Sequence, residues 1–253
     1  IILAARPGLG KTALALSIAR NAAGQGATSA IFSLEMSRDQ LGNRLLAAEA
    51  DIDSFRLRQH LYSETQERRI VDATGVLSDL PIYIDDTPML TVMELRSKAR
   101  RLHMDRGVDL IIVDYLQLMQ GADSRANANR VQEVSEISRS LKALARDLNV
   151  PVVALSQLSR AIESRTSHRP QLSDLRESGS IEQDADVVMF IYREDQNYTE
   201  DQWNAQNPTQ PFPKNMAELI VSKHRHGAQG SIHLHFEDRL ARFEGLANNS
   251  GVA

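Results

Sequence analysis

The chain has 253 residues, of which 42% are hydrophobic and 25% are charged, the composition of an ordinary folded protein with one large domain or two small ones. It contains no cysteine, which excludes disulfide frameworks, thiolate metal sites and catalytic thiols. Its 29 Lys and Arg and 33 Asp and Glu give a net charge of −4, which argues against a surface built throughout to grip nucleic acid.

The apolar run from Leu110 to Val113 lies between Asp109 and Asp114 and is far shorter than the roughly 18 residues that a membrane-spanning helix needs. We therefore expect no membrane segment. Residues 1–4 resemble the second half of a strand rather than a signal peptide, and we expect upstream sequence to precede them.

Short apolar runs alternate with stretches of helical period along most of the chain. We expect strands at residues 1–4, 28–34, 82–84, 110–113, 152–155, 187–192 and 219–222, and helices at 12–23, 39–50, 92–103 and 131–148. The last helix is the clearest, because its apolar residues from Val131 to Leu148 recur every three or four positions. This alternation predicts an α/β fold, with a mostly parallel twisted sheet covered by helices on both faces.

Residues 121–130, 159–179 and 196–214 lack periodicity and are expected to be loops. The first two follow expected strands, and ligands of open α/β sheets bind at the carboxyl ends of strands. Residues 231–236 and 240–243 predict a C-terminal β-hairpin. We expect one domain over residues 1–246 and a polar tail over 247–253.

The strongest motif is Gly8-Leu9-Gly10-Lys11-Thr12, which follows an expected strand and opens an expected helix, the context that a phosphate-binding loop requires. In such a loop backbone N–H groups surround the phosphates, Lys11 reaches the β- and γ-phosphate oxygens, and Thr12 ligates Mg²⁺. The general pattern has a glycine where Ala5 stands. The predicted nucleotide-binding residues here are Arg6, Pro7, Gly8, Leu9, Gly10, Lys11, Thr12 and Ala13.

Three polar residues end expected strands and would complete such a site. Asp114 is expected to hold Mg²⁺ opposite Thr12, although a lone aspartate there is often only a strand cap. Glu35 is the candidate base for water attack on the γ-phosphate, with a surface or helix-capping glutamate as the alternative. Gln157 would contact the γ-phosphate, although alone it is no more than a polar strand end.

Lys223 and Arg225 follow the strand at residues 219–222, and strand periodicity places them on one face, with His224 and His226 on the other. Two cations far along the chain from the phosphate-binding loop suit an arginine finger offered to a neighbouring subunit's nucleotide. A solvated basic turn is the alternative. The histidine pairs nearby lack acidic or thiolate neighbours, so we expect no metal site there.

Residues 174–180 read Asp-Leu-Arg-Glu-Ser-Gly-Ser in the second expected loop. Small residues with exposed backbone N–H groups, together with Arg176, could follow a nucleic-acid backbone without reading bases. An ordinary polar loop is an equally good interpretation of this spacing.

Taken together, the chain resembles the hexameric replicative DNA helicases of the DnaB type, in their RecA-like C-terminal motor domain. The resemblance covers nearly the whole chain and rests on three blocks that occur in order: Ser-Leu-Glu-Met at 33–36, Asp-Tyr-Leu-Gln at 114–117 and Leu-Arg-Glu-Ser-Gly-Ser-Ile-Glu-Gln at 175–183. That family commonly has alanine where Ala5 stands. The long stretch 196–213 and His224, where many members carry glutamine, depart from its pattern.

The resemblance implies an ATP- and Mg²⁺-dependent motor that moves 5′-to-3′ on single-stranded DNA as a homohexamer and unwinds duplex at the replication fork. It also implies a bacterial or phage cytoplasmic location, with primase and a helicase loader as partners of the full-length protein. Residue by residue, it implies a catalytic carboxylate at Glu35, a coupling residue at Gln157, the Walker B acid at Asp114, trans-acting cations at Lys223 and Arg225, and DNA contacts at Arg176, Glu177 and Gly179.

Two other classes of protein are alternatives. One is a RecA- or KaiC-like ATPase that forms a filament or ring without unwinding DNA, and the other is a binding module that has lost catalysis. The complete set of catalytic residue types argues against the second. Because several subunits can share one DNA strand, each subunit needs few cations, and the net charge of −4 does not exclude DNA binding.

Overall fold

A computed structural model describes residues 1–119, 130–165 and 167–246 of the chain, without the side chains of Arg160 and of residues 176–180. Of the predicted loop at 121–130, residues 121–129 lie outside the described residues, and Arg130 begins a helix instead. The predicted tail at 247–253 also lies outside the described residues. No helix in the described ranges is long and apolar enough to cross a membrane.

Nine described strands form one sheet in the order β3-β2-β4-β5-β1-β6-β7-β8-β9. They are β1 (Ile2–Ala5), β2 (Ser29–Ser33), β3 (Ile82–Asp85), β4 (Leu110–Asp114), β5 (Val152–Gln157), β6 (Val187–Tyr192), β7 (Met216–His224), β8 (Gly230–Glu237) and β9 (Arg242–Gly245). The strands from β3 to β6 in this order pair in parallel, and β6 to β9 pair antiparallel. The predicted α/β class, the mostly parallel sheet and the C-terminal hairpin are confirmed.

Eight described α-helices accompany the sheet. They are α1 (Lys11–Ala23), α2 (Arg38–Ala50), α3 (Ser54–Arg58), α4 (Glu64–Asp79), α5 (Val92–Arg106), α6 (Arg130–Leu148), α7 (Gly179–Asp184) and α8 (Glu200–Gln206). Helices α3, α4 and α7 were not predicted from the sequence. The expected loops at 159–179 and 196–214 were wrong in part, because the first contains two 3₁₀ helices and the second contains α8.

The two faces of the sheet carry separate apolar cores, since side chains of a strand alternate between faces. Ile2 and Ala4 face a core built with α5 and α6, whereas Leu3 and Ala5 face a core built with α1, α2 and the C-terminal hairpin. The predicted apolar face of α6 is buried from Val134 to Leu144, whereas Leu148 at the end is partly buried and Val131 in the first turn is exposed.

The strand ends that carry the candidate site meet at one edge of the sheet. Parallel pairing aligns Ser33 with Asp114 and Ala5 with Gln157, and β5 lies between β4 and β1. The carboxyl ends of β2, β4, β5 and β1 therefore lie side by side, which is where open α/β sheets bind ligands.

Candidate active site

The turn from β1 into α1 depends on two glycines in left-handed conformations. Gly8 has φ 80° and Gly10 has φ 93°, values that side chains disfavour. A Cβ on Gly10 would also lie 2.9 Å from Phe243 of the hairpin. None of the described side chains caps the start of α1, so its first N–H groups are available to an anion.

Lys11, Thr12 and Asp114 form the polar centre of the site. The Thr12 hydroxyl donates a 2.6 Å hydrogen bond to Asp114 Oδ2, and Lys11 Nζ lies 3.7 Å from Asp114 Oδ1. Lys11 Nζ also lies 4.2 Å from the centre of the Tyr115 ring. Burial lowers the pKa of Lys11, and the charges of Asp114 and Glu35 oppose that shift.

The second carboxylate oxygen of Asp114, Oδ1, has no hydrogen-bond donor in the described structure and is available to a cation. The Asp114 side chain is only 2% exposed. A hydroxyl and a carboxylate are hard oxygen ligands, the kind that Mg²⁺ combines with water and substrate phosphates. These residues therefore fit Mg²⁺ held by few protein ligands. No group of three or more His, Asp or Glu side chains able to hold a metal occurs in the described part of the chain.

A cavity of about 280 Å³ opens above this centre and is lined by most of the predicted site. The residues that line it are Ala5, Arg6, Pro7, Gly8, Gly10, Lys11, Thr12, Ala13, Glu35, Met36, Arg44, Tyr115, Gln157, Phe236 and Ala241. Leu9 is buried in the α1 core and does not line the cavity, because its side chain points away from the loop's open side. Glu35 is exposed at the cavity mouth, whereas Gln157 is partly buried.

Arg44 is a site residue that the sequence analysis missed. It lies on α2, lines the cavity, and experiences the charges of Asp114 and Glu35. Burial lowers the pKa of Arg44, and the two carboxylates oppose the shift. A guanidinium held in this way provides an anion-binding group next to the candidate base. Its spacing of nine residues from Glu35 forms no short motif, so only the packing of α2 against α1 reveals it.

The side chain of Arg6 binds two protein side chains outside the phosphate-binding loop. Its guanidinium donates to Asn197 Oδ1 at 2.8 Å and to Glu163 Oε1 at 3.0 Å. Arg6 thus ties the loop to the segment after β5 and to the stretch before α8. Arg6 also borders the cavity.

Lys223 and Arg225 lie at the other end of the strands, next to the amino ends of the parallel strands β1 and β6. β7 runs antiparallel to β6, so that His224 pairs with Val187, and Val188 pairs with Ile2 at the start of β1. Lys223 donates to the Glu182 carbonyl, and Arg225 Nη1 lies 3.1 Å from Asp186 Oδ1. Both cations contact backbone carbonyls of α7, and neither lines the cavity.

The backbone of the predicted DNA-binding residues is helical. Arg176 and Glu177 lie in the 3₁₀ helix Leu172–Ser178, and Gly179 begins α7. Their side chains are outside the described structure. The buried Asp174 near the start of this 3₁₀ helix accepts a 2.6 Å hydrogen bond from Arg165 and a 2.7 Å hydrogen bond from the Gln171 N–H. These bonds hold the first turn of the 3₁₀ helix in place.

Comparison with known protein families identifies the family to which the chain belongs. The model of the DnaB-like helicase C terminal domain matches residues 1–245. The chain belongs to this family. The DnaB-like assignment favours the helicase resemblance over the RecA- or KaiC-like alternative, and members of this family use nucleotides.

Curated relatives of the DnaB-like domain are about 50% identical to it in sequence. The chain is 51% identical over 247 residues to the replicative DNA helicase DnaB of Geobacillus stearothermophilus, covering 97% of this chain and 52% of that protein. It is 50% identical over 247 residues to the replicative DNA helicase DnaC of Bacillus subtilis, covering 97% and 52%. The chain thus spans about half the length of these relatives.

Solved structures agree with the DnaB-like fold. One, described as an ATPase domain, superposes with a TM-score of 0.86 at 37% identity, covering 97% of this chain and 84% of that one. Another, a DnaB-like replicative helicase described together with its interactions with primase, gives a TM-score of 0.86 at 36% identity and covers 97% and 57%.

Proposed function

We propose that this DnaB-like domain is the motor of a replicative DNA helicase, hydrolysing ATP to move 5′-to-3′ on single-stranded DNA. The observation that carries the proposal is the cluster of Thr12, Asp114 and Lys11 beneath a cavity that Glu35 and Gln157 also line. Phosphoryl transfer to water needs phosphate binding, a cation and a group that orients the water, and each has a residue here.

In this mechanism the turn at Gly8 to Gly10 and the start of α1 bind the phosphates through backbone N–H groups. Lys11 pairs with the β- and γ-phosphate oxygens. Thr12 and Asp114 would hold Mg²⁺, which would supply positive charge to the bound phosphates. Glu35 orients a water molecule for attack on the γ-phosphorus and accepts its proton as the bond to the leaving ADP oxygen breaks.

Gln157 and two cations would link hydrolysis to assembly and movement. Gln157 follows β5, and the segment after it leads to the predicted DNA contacts at Arg176, Glu177 and Gly179. Because Lys223 and Arg225 lie across the sheet from their own cavity, we propose that they act on the nucleotide of a neighbouring subunit, in a homohexameric ring. The ring would hold one DNA strand through several weakly charged loops.

We propose two further partners for the complete protein, a primase and a helicase loader. The primase proposal draws on the solved DnaB-like helicase described with its primase interactions. A role in DNA replication also supports a cytoplasmic location in a bacterial or phage-infected cell.

The test is ATP hydrolysis with and without single-stranded DNA in Lys11→Ala, with the exposed Lys214→Ala as a matched control. We expect Lys11→Ala to lower the DNA-stimulated rate by about 100-fold or more, and Lys214→Ala to keep it. In the same preparations, wild type should unwind forks that offer a 5′ tail. Hydrolysis that survives Lys11→Ala, or unwinding only from a 3′ tail, would refute the proposal.

A further inference from the structure

The ladder between β4 and β5 stops before β5 ends. Its last aligned pair is Val113 with Ala154, and β5 continues for three more residues to Gln157. Beyond Val113, β4 follows its other neighbour, because the Asp114 carbonyl accepts a 2.6 Å bond from the Leu34 N–H on the β2 side. The backbone of Gln157 therefore needs another partner on the β4 side.

The side chain of Gln117 fills that place. Its Nε2 donates to the Gln157 carbonyl at 3.2 Å and to Ser156 Oγ at 2.8 Å. Its Oε1 accepts from the Gln157 N–H at 3.2 Å. A primary amide has the same donor and acceptor as a peptide group, so this reciprocal pair extends the ladder by one step with a side chain.

Gln157 is held from the other side by the strand of the phosphate-binding loop. Ala5 pairs with Gln157, and the Leu158 N–H donates to the Ala5 carbonyl at 3.1 Å. With Gln117 on one flank and Ala5 on the other, the backbone of Gln157 has one position relative to the cavity that its side chain lines.

Gln117 is itself firmly anchored. It lies in the 3₁₀ helix Leu116–Leu118, where Leu116 is fully buried, and Met119 just after it is also buried. Its carbonyl accepts a hydrogen bond from Arg130 at the start of α6. Asp114 lies three residues before Gln117. The proposed cation ligand and the side chain that binds the Gln157 backbone therefore lie within four consecutive residues.

We propose that Gln117 is a positioning residue that sets where the Gln157 amide meets the γ-phosphate. The proposal rests on the proposed function, because it assigns Gln117 a part in the same ATP-hydrolysing site. Gln117 is not among the residues that line the cavity, so it would act through its bonds to the backbone of Gln157. Loss of its amide would leave the Gln157 side chain present but displaced, which lowers the rate of the chemical step more than it weakens ATP binding.

The kinetic test uses the complete natural protein and the variants Gln117→Met, Gln157→Met and the double variant. Methionine keeps the volume of glutamine and removes the amide. We expect Gln117→Met to lower DNA-stimulated kcat about tenfold with KM for ATP changed less than about twofold. The double variant should be no slower than Gln157→Met by more than about twofold, because both changes remove one function.

Gln117→Glu serves as a second variant if methionine disturbs folding, since it keeps the shape and the acceptor oxygen and loses the bonds donated to Gln157 and Ser156. It should also lower kcat. Leu118→Met, a change in a neighbouring side chain that is 38% exposed, should match wild type. Multiplicative losses in the double variant, or a normal kcat in both Gln117 variants, would overturn the proposal.

Amide hydrogen exchange tests the hydrogen bond between Gln117 and the Gln157 backbone independently of catalysis. In Gln117→Met the Gln157 N–H should exchange about tenfold faster, while the Ala154 N–H, which donates to the Ile1 carbonyl, should keep its rate. Unchanged exchange at Gln157 would overturn the positioning role. Absence of ATP hydrolysis by wild type would instead refute the proposed function, so the two failures are distinguishable.

Discussion

Thr12 and Asp114 are joined by a 2.6 Å hydrogen bond across 102 positions of sequence. The strands that lead to them are not neighbours in the sheet, since β5 lies between β1, which precedes Thr12, and β4, which ends at Asp114. The bond therefore passes over the end of the strand that carries Gln157. Three adjacent strand ends thus supply the predicted phosphate-binding loop, the proposed cation site at Asp114, and Gln157.

Gly10→Ala should destabilise the domain by about 2–5 kcal/mol, because a left-handed φ costs a side chain about 1–2 kcal/mol and overpacking adds about 1–3 kcal/mol. The new Cβ would lie 2.9 Å from Phe243 and 3.1 Å from Phe236. Urea unfolding measures the loss. As a control, Gly75→Ala in the middle of α4, where the Cβ meets open space, should stabilise by about 0.5–1 kcal/mol. Equal stabilities of the two variants would contradict this packing argument.

Arg44→Ala should lower kcat/KM for ATP hydrolysis by about 10- to 100-fold, because it removes a partly buried guanidinium from the cavity. Arg44→Lys should recover only part of the loss, since an ammonium ion lacks the forked geometry that suits phosphate.

The matched control is Arg38→Ala, an exposed arginine one and a half turns earlier on the same helix. It should keep the wild-type rate. If Arg44→Ala hydrolyses ATP as fast as Arg38→Ala does, the cavity position of Arg44 has no role in the reaction.

Asp186 should give the domain a small pH-dependent stability. A hydrogen bond from Lys142, followed by the charges of Lys142 and Arg225, lowers the pKa of Asp186 below its ordinary value of 3.8 against the opposing effect of burial. The unfolded chain thus takes up this proton first as the pH falls. The stabilisation is present above the ordinary pKa and is lost as the pH falls through the lowered one.

Asp186→Asn tests this sign. Because the side chain is 41% exposed, the loss at pH 7 should be below about 1 kcal/mol. Wild type and variant should reach equal stability in strongly acidic buffer, as measured by urea unfolding across the pH range. A difference that grows on acidification would have the wrong sign.

The phosphate-binding loop and helix α6 could be predicted from sequence because both depend on local patterns. The run of Gly8 to Thr12 forms its turn from nearby residues, and α6 repeats its apolar residues every three or four positions. By contrast, α4 buries only Ala73 and so shows little apolar period. Its visible mark was the capping box formed by Ser63 and Gln66.

Arg44 and Gln117 could not be predicted because their roles depend on long-range packing. Arg44 reaches the cavity only because α2 packs on α1, and Gln117 matters only because β4 leaves β5 after Val113. The placement of Lys223 and Arg225 at the far end of the strands likewise follows from the antiparallel turn of β7. Strand periodicity predicted that the two cations share one face, but it gave no information about the end of the sheet at which they lie.

Subunit mixing tests most directly the central claim that the site is an ATPase shared between neighbours. Complete proteins carrying Lys11→Ala or Arg225→Ala should each be nearly inactive alone, since an arginine finger contributes about 10³-fold or more. Mixed at equal amounts before ring assembly, about one quarter of the interfaces join an intact Lys11 to an intact Arg225 from the next subunit. We predict that DNA-stimulated ATPase activity returns to about a quarter of the wild-type rate. A mixture as inactive as its two components, or full activity of Arg225→Ala alone, would contradict the account.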